Sequence, residues 1–257
     1  MPTRRLAIAL PLAAVAAPSL AQARTTAPLT AREIIQRATA AAGGEGWRRP
    51  QTLFLAGSAI FWPDGTQASR VVNERHEMWR VYPRESPFAH VANGKVRIDG
   101  WRGGRLLFQQ SFDGVQSYTM AGPTGAAADS REWRENFGFG IIRYALDPGS
   151  TLERLPDDEV DGAPAFMVRV TSAGGDSTLF GIGMRNAHIL KAGFSTPRGW
   201  HERIYSDFVK DRRTGWLQPR RVRLFYNGVK QNEILWTRFE VGRPMPDSLF
   251  VLPQSAG

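Results

Sequence analysis

Cysteine is absent from all 257 residues. No disulfide can brace this fold, so its apolar core must hold it alone. The absence also rules out a lipidated N-terminal cysteine. Zinc is left with few ligands, because the four histidines (His76, His90, His188 and His201) are scattered and share no H-x-x-x-H spacing. They read as strand or turn residues, and neither a metal nor a cofactor is expected. The G-x-S-x-G elbow of serine hydrolases is missing, and Ser58 lies inside a strand-like run rather than at a strand-to-helix turn. A triad assembled only in space is left open by spacing. The phosphate-loop pattern is missing too, so Gly43-Gly44-Glu45-Gly46 and Gly103-Gly104 read as a helix cap and a turn. Asp157, Asp158 and Glu159 are adjacent and read as a solvated turn, not as carboxylates flanking a sugar.

Long apolar runs are equally scarce. The one near-continuous run, Leu6 to Leu20, follows Arg4 and Arg5 and ends at Ala21-Gln22-Ala23. A positive start, a short apolar stretch broken by Pro11 and Pro18, and an A-x-A site describe a secretory signal peptide rather than a membrane span. Residues 1–23 are therefore set aside, a mature chain is expected from about Arg24, and residues 24–257 are expected to form one domain. No later stretch suits a transmembrane segment.

What is present is apolar, aromatic and basic. A hydrophobic fraction of 42% suffices for a sizeable core, and 8 Trp with 14 Phe favour strands and apolar pockets. The chain carries 33 Lys and Arg against 24 Asp and Glu; without Arg4 and Arg5 the balance is 31 against 24, a charge of +7. The basic residues are spread along strands except at Lys210/Arg212/Arg213 and Arg220/Arg221/Arg223. That spread fits a sheet with one charged face better than a nucleic-acid groove, and no nucleic-acid partner is expected.

Thr30-Ala31-Arg32-Glu33 is a capping box, and Ile34, Ile35, Ala38, Ala41 and Ala42 follow at helical spacing until Gly43-Gly44. Strand patterns then run over Leu53–Trp62, Ala68–Tyr82, Val91–Trp101, Arg105–Phe112 and Val115–Met120, the last two flanking Asp113-Gly114. Ala121–Ala128 reads as a mobile loop. Asp129 and Glu132 are placed to cap a second helix carrying Trp133, Phe137, Ile141 and Tyr144, ended by Asp147-Pro148-Gly149; a lid and a packed crossover helix are both open. Strands resume at Ala165–Thr171, Thr178–Ile182 and Ile189–Ser195. Tyr205–Val209, Arg220–Tyr226 and Glu233–Val241 close the chain as a meander turned at Asn227-Gly228. About ten or eleven strands at this spacing signify an all-β sandwich or barrel.

Several of these features together resemble the periplasmic outer-membrane lipoprotein carrier/sorting superfamily (LolA/LolB-like). They are the N-terminal signal, the helix ending in Gly43-Gly44, and the strand from Thr52-Leu53 to Gly57. The Asp113-Gly114 hairpin, Tyr205-Ser206-Asp207-Phe208 followed by Gly215 and Pro219, and Phe250 with Pro253 complete the match. Tyr118 stands where the family's hairpin carries Trp. The resemblance implies a mainly β (α+β) fold: an unclosed antiparallel half-barrel wrapped around two or more helices. Tyr205–Pro253 would be its closing edge, with the arginines on the outer face. It also implies a hydrophobic cavity for acyl chains and a non-enzymatic role in the periplasm.

The aromatic surplus before Gly140 is either ordinary core or the lining of that cavity; periodicity does not separate the two. As a lining it would comprise Phe54, Phe61, Trp79, Trp101, Phe108, Tyr118, Trp133, Phe137 and Ile141. The leading expectation is a soluble periplasmic protein that binds a lipid, acyl chain or other apolar ligand, with lipid or lipoprotein acyl chains as partners. An interaction module of the same fold with a filled core, docking an envelope protein, is the second expectation. A hydrolase with a spatially assembled site is the third.

Overall fold

The computed structural model describes residues 28–82, 94–124 and 140–253. Two short helices, α1 (Ala31–Ala42) and α2 (Glu45–Arg48), open it. Six strands follow: β1 (Thr52–Phe61), β2 (Val71–Val81), β3 (Lys95–Arg102), β4 (Arg105–Phe112), β5 (Ser117–Thr119) and the two-residue β6 (Gly122–Pro123). After a 3₁₀ turn at Gly140–Tyr144 come β7 (Thr151–Val160), β8 (Ala163–Thr171), β9 (Ser177–Gly183) and β10 (Ile189–Thr196). The last strands are β11 (Gly199–Lys210), β12 (Leu217–Tyr226) and β13 (Val229–Val241), and a second 3₁₀ turn spans Asp247–Phe250.

All thirteen strands form one antiparallel sheet in the order β6-β5-β4-β3-β2-β1-β13-β12-β11-β10-β9-β8-β7. Its ends do not pair, so the sheet is unclosed, as expected. One meander runs outward from a central seam and the second returns from the far edge to it, so that β1 pairs with β13 from Leu53↔Val241 to Phe61↔Asn232. The meander of β11, β12 and β13 is therefore the middle of the sheet, not its closing edge. Non-local β1–β13 pairing puts it there, and hairpin signals in sequence report only neighbours.

The two extra strands lie at the two ends of the order. β7 contains Asp157, Asp158 and Glu159, which are strand residues and not a turn. Pro156 and a register shift between Leu155 and Asp158 interrupt its pairing with β8. Proline, bulge and acidic charge are what an unpaired sheet edge needs to resist pairing with another chain. These same residues imitate a turn in sequence.

α1 is built as its sequence dictates. Thr30 Oγ1 accepts from Glu33 N at 3.2 Å, while Glu33 Oε2 accepts from Thr30 N at 2.8 Å. The buried stripe Ile34, Ile35, Ala38 and Ala42 packs on Val168, Val170, Phe180, Ile182 and Trp216. Fully burying each isoleucine contributes roughly 1.5–3 kcal/mol. Thus α1 covers the inner face of the sheet's second half. Of the second expected helix, the part from Gly140 is described, and Gly140–Tyr144 is a 3₁₀ turn. Its remainder, from residue 129, lies outside the described residues, as do 125–128 of the expected loop and 91–93 of the expected third strand.

Candidate functional site

Where α1 does not reach, the inner face stays open. A cavity of about 830 Å³ lies between β1–β5 on one side and β11–β13 on the other. That size falls within the usual range of small-molecule pockets. Its walls include Leu55, Met78, Ile98, Phe108, Val222, Leu224, Ile234 and Trp236. These are the inward residues of alternating strands, brought level by direct pairing such as Met78↔Ile98 and Val222↔Ile234.

Two glycines shape this space. A Cβ on Gly57 would lie 1.8 Å from the carbonyl oxygen of Leu235, so only glycine lets β1 close onto β13 at the seam. The β1–β13 register shifts beside it, between Ala56 and Gly57, and such a bulge increases local twist and bends the strand. A Cβ on Gly100 would meet the Phe108 ring at 2.5 Å and Asn73 Nδ2 at 2.6 Å; its absence leaves room for both side chains on the cavity wall.

The inner end of the cavity meets the helical layer at Arg143, on the first 3₁₀ turn. Its guanidinium is buried, donates to the carbonyl of Trp47, and lies 4.3 Å from the Trp47 ring and 5.0 Å from the Trp216 ring. Arg48 and Arg49 both pair with Asp147, which fastens α2 to the segment after that turn. Burial lowers Arg143 to about 10, still protonated at neutral pH.

Several polar groups on the wall are buried. His76 is stacked on Trp236 at 5.5 Å, with Phe61 at 5.7 Å and Phe108 at 6.1 Å around it. Burial pushes its imidazole down to about 4, so it is neutral at pH 7. Asn73 is fully buried, with neither side-chain polar atom hydrogen-bonded among the described residues. Arg80, Arg198 and Arg203 also line the cavity, and none of its described lining residues is Asp or Glu.

The expected lining residues separate by strand parity. Phe61, Phe108 and Tyr118 line the cavity. Phe54 and Trp79 face the other way: their rings pair at 5.4 Å, and Arg97 lies over Trp79 at 5.5 Å. The reason is period two, because Leu53 and Leu55 take the inward positions on β1 and Phe54 falls between them. On that outer face the C-terminal 3₁₀ turn is tied down, Arg97 Nη1 donating to Leu249 O at 3.0 Å and Ser111 Oγ to Phe250 O at 2.7 Å. Trp101 sits under the Arg75 guanidinium at 3.8 Å. Ile141 is buried in the core beside α1, and Trp133 and Phe137 lie outside the described residues. Sequence reading missed the second wall, Tyr205, Val222, Leu224, Ile234 and Trp236. Their alternation was visible; their neighbourhood depends on the β1–β13 seam.

No family model matches the sequence, and no curated protein matches it. Among solved structures, the chain is similar to a DUF1329 family protein from Desulfovibrio piger ATCC 29098. The TM-score is 0.55 at 9% identity, covering 86% of this chain and 95% of that one. It is also similar to LolA superfamily protein NE2245 from Nitrosomonas europaea, with a TM-score of 0.53 at 12% identity over 88% of this chain and 99% of that one. The chain thus has a LolA-like fold. Among the described residues, no helix is long and apolar enough to cross a membrane.

Proposed function

We propose that this protein binds a lipid, acyl chain or other apolar ligand in the cavity, acts without catalysis, and does so in the periplasm. The observation that carries this reading is the 830 Å³ space on the inner face, walled mostly by aliphatic and aromatic side chains. The LolA-like fold supports it, since one similar structure bears the LolA superfamily name. Binding works by removing apolar surface from water, at roughly 25 cal/mol per Å². Phe61, Phe108 and Tyr118 are the proposed contacts retained from the sequence expectation. Lipid or lipoprotein trafficking is the finer form of the same role.

Native mass spectrometry of protein isolated from an exported fraction is expected to show a bound lipid on a chain beginning near Arg24. A clean apo mass, together with no uptake of a fluorescent fatty acid, would falsify the reading. An interaction module with a filled core is the weaker reading, because the described residues leave this inner face unfilled. A hydrolase is weaker still: among the described residues both ring nitrogens of buried His201 and Nδ1 of His76 lack any hydrogen-bond partner, including a carboxylate orienter.

A further inference from the structure

Among the described residues, the cavity wall carries four arginines, Arg80, Arg143, Arg198 and Arg203, and no acidic residue. Arg198 lies over the Tyr226 ring at 4.3 Å. Arg80 and Arg143 converge on one aromatic surface, with Tyr82 beneath both, 4.8 Å from Arg80 and 5.3 Å from Arg143. Arg203 is near enough for its charge to act on Arg80 and on Tyr205.

Arg80 is the telling member. It is 6% exposed, lies on β2 between Leu53 and Val96, and its Nη1 has no hydrogen-bond partner among the described residues. A buried guanidinium donor without an acceptor is costly, and the cost is removed by a group that brings acceptor oxygens. A purely hydrocarbon ligand would leave it unpaired. A carboxylate or phosphate meets the planar guanidinium fork with charge-assisted, bidentate bonds. Leu55, Met78, Ile98 and Phe108 add apolar wall that a small anion would leave uncovered and an alkyl chain would cover.

We propose that the cavity is built for an amphiphile with an anionic head, a carboxylate or a phosphate monoester bound by Arg80, whose alkyl tail lies along the apolar walls. This rests on the apolar-ligand reading above and narrows it.

The test compares dodecanoate, dodecyl phosphate and dodecanol, which share one tail, binding to the full chain below their aggregation concentrations. Acetate and inorganic phosphate serve as tail-less controls. Titration calorimetry is expected to show one or both anionic compounds binding roughly tenfold or more tighter than dodecanol. The stronger of the two identifies the head. Arg80→Met should bring that ratio close to one, and Arg80→Lys should restore part of it. The wild-type ratio alone is decisive if Arg80→Met does not fold. Equal affinity for dodecanol and both anions overturns the headgroup site and leaves the apolar-ligand reading standing. Acetate or phosphate binding as tightly as the long-chain compounds overturns the amphiphile. Failure of every dodecyl compound to bind removes both readings together.

Discussion

Asp207 has φ 55, a left-handed conformation in the middle of β11. The ladder with β12 is interrupted at Asp207 and Arg220 together, between Ser206↔Arg221 and Phe208↔Pro219, with the register unchanged. Its effect is on side-chain direction. Tyr205 and Phe208, three apart, would face opposite sides of a regular strand. With a left-handed residue between them, both pack on the core that holds α1. The Tyr-Ser-Asp-Phe run that carries the family resemblance is therefore a piece of backbone geometry. Asp tolerates this conformation and a β-branched residue does not. Asp207→Val is expected to cost about 1–2 kcal/mol or more in denaturant unfolding, and Asp207→Gly to cost nothing or to stabilise. Equal losses in both would point to the carboxylate, not the backbone. Gly57 is less forgiving: Gly57→Ala sets a methyl against the Leu235 carbonyl at the seam. A loss of about 3 kcal/mol or more is expected from this overpacking, read as a fall in the denaturation midpoint.

Elements were legible in proportion to how local their causes are. α1 was readable from its capping box, its stripe and its glycines, because all its determinants lie within fourteen residues of sequence, Thr30 to Gly43. Thr30→Ala removes the side-chain half of that box and is expected to lower stability by about 1 kcal/mol, measurable as a lower unfolding midpoint with unchanged slope. The hairpins at Asp113-Gly114 and Asn227-Gly228 were readable for the same reason. β7 was not, because the proline, bulge and charges that guard an edge are the residues that also make turns. That account predicts a behaviour. Replacing Pro156 with Thr and Asp158 with Val would turn β7 into a flat, pairable edge, and concentration-dependent dimers or aggregates should appear on size-exclusion chromatography. A double variant that stays monomeric would mean the edge is protected by something else. The cavity was half legible: Phe61 and Phe108 came from aromatic content, whereas Trp236, Val222 and Tyr205 needed a long-range seam that no local pattern encodes.

At the scale of the whole molecule, two buried histidines make acid the weak point of the fold. His201 has no exposed surface, is stacked on Phe194 at 4.5 Å and is edge-on to Tyr226 at 5.0 Å. Burial, aided by the nearby Arg203 and Arg198 charges, holds it down to about 2, and burial alone holds His76 down to about 4. The unfolded chain protonates both near the ordinary 6.5. Above that pH neither state binds a proton, and the histidines leave stability unchanged. Below it the unfolded state gains protons that the folded state refuses, so stability falls. At pH 5 each histidine has removed about 2 kcal/mol, or about 4 together, a large share of the 5–15 kcal/mol typical of folded proteins. The carboxylates held low act further down the pH scale. Glu33 and Asp211, held low by hydrogen bonds from Thr30 and Arg213, lose their stabilising effect only as pH falls below their ordinary values of 4.5 and 3.8. The His76 loss levels off near pH 4, and the His201 loss continues further down. His76→Phe keeps a ring against Trp236 and has the cavity beside it for the added volume. It is expected to halve the fall in unfolding free energy between pH 7 and pH 5, from about 4 to about 2 kcal/mol, measured by urea unfolding at each pH. An unchanged fall would show that His76 is protonated in the folded state, and that the cavity wall admits a charge its aromatic surroundings ought to refuse.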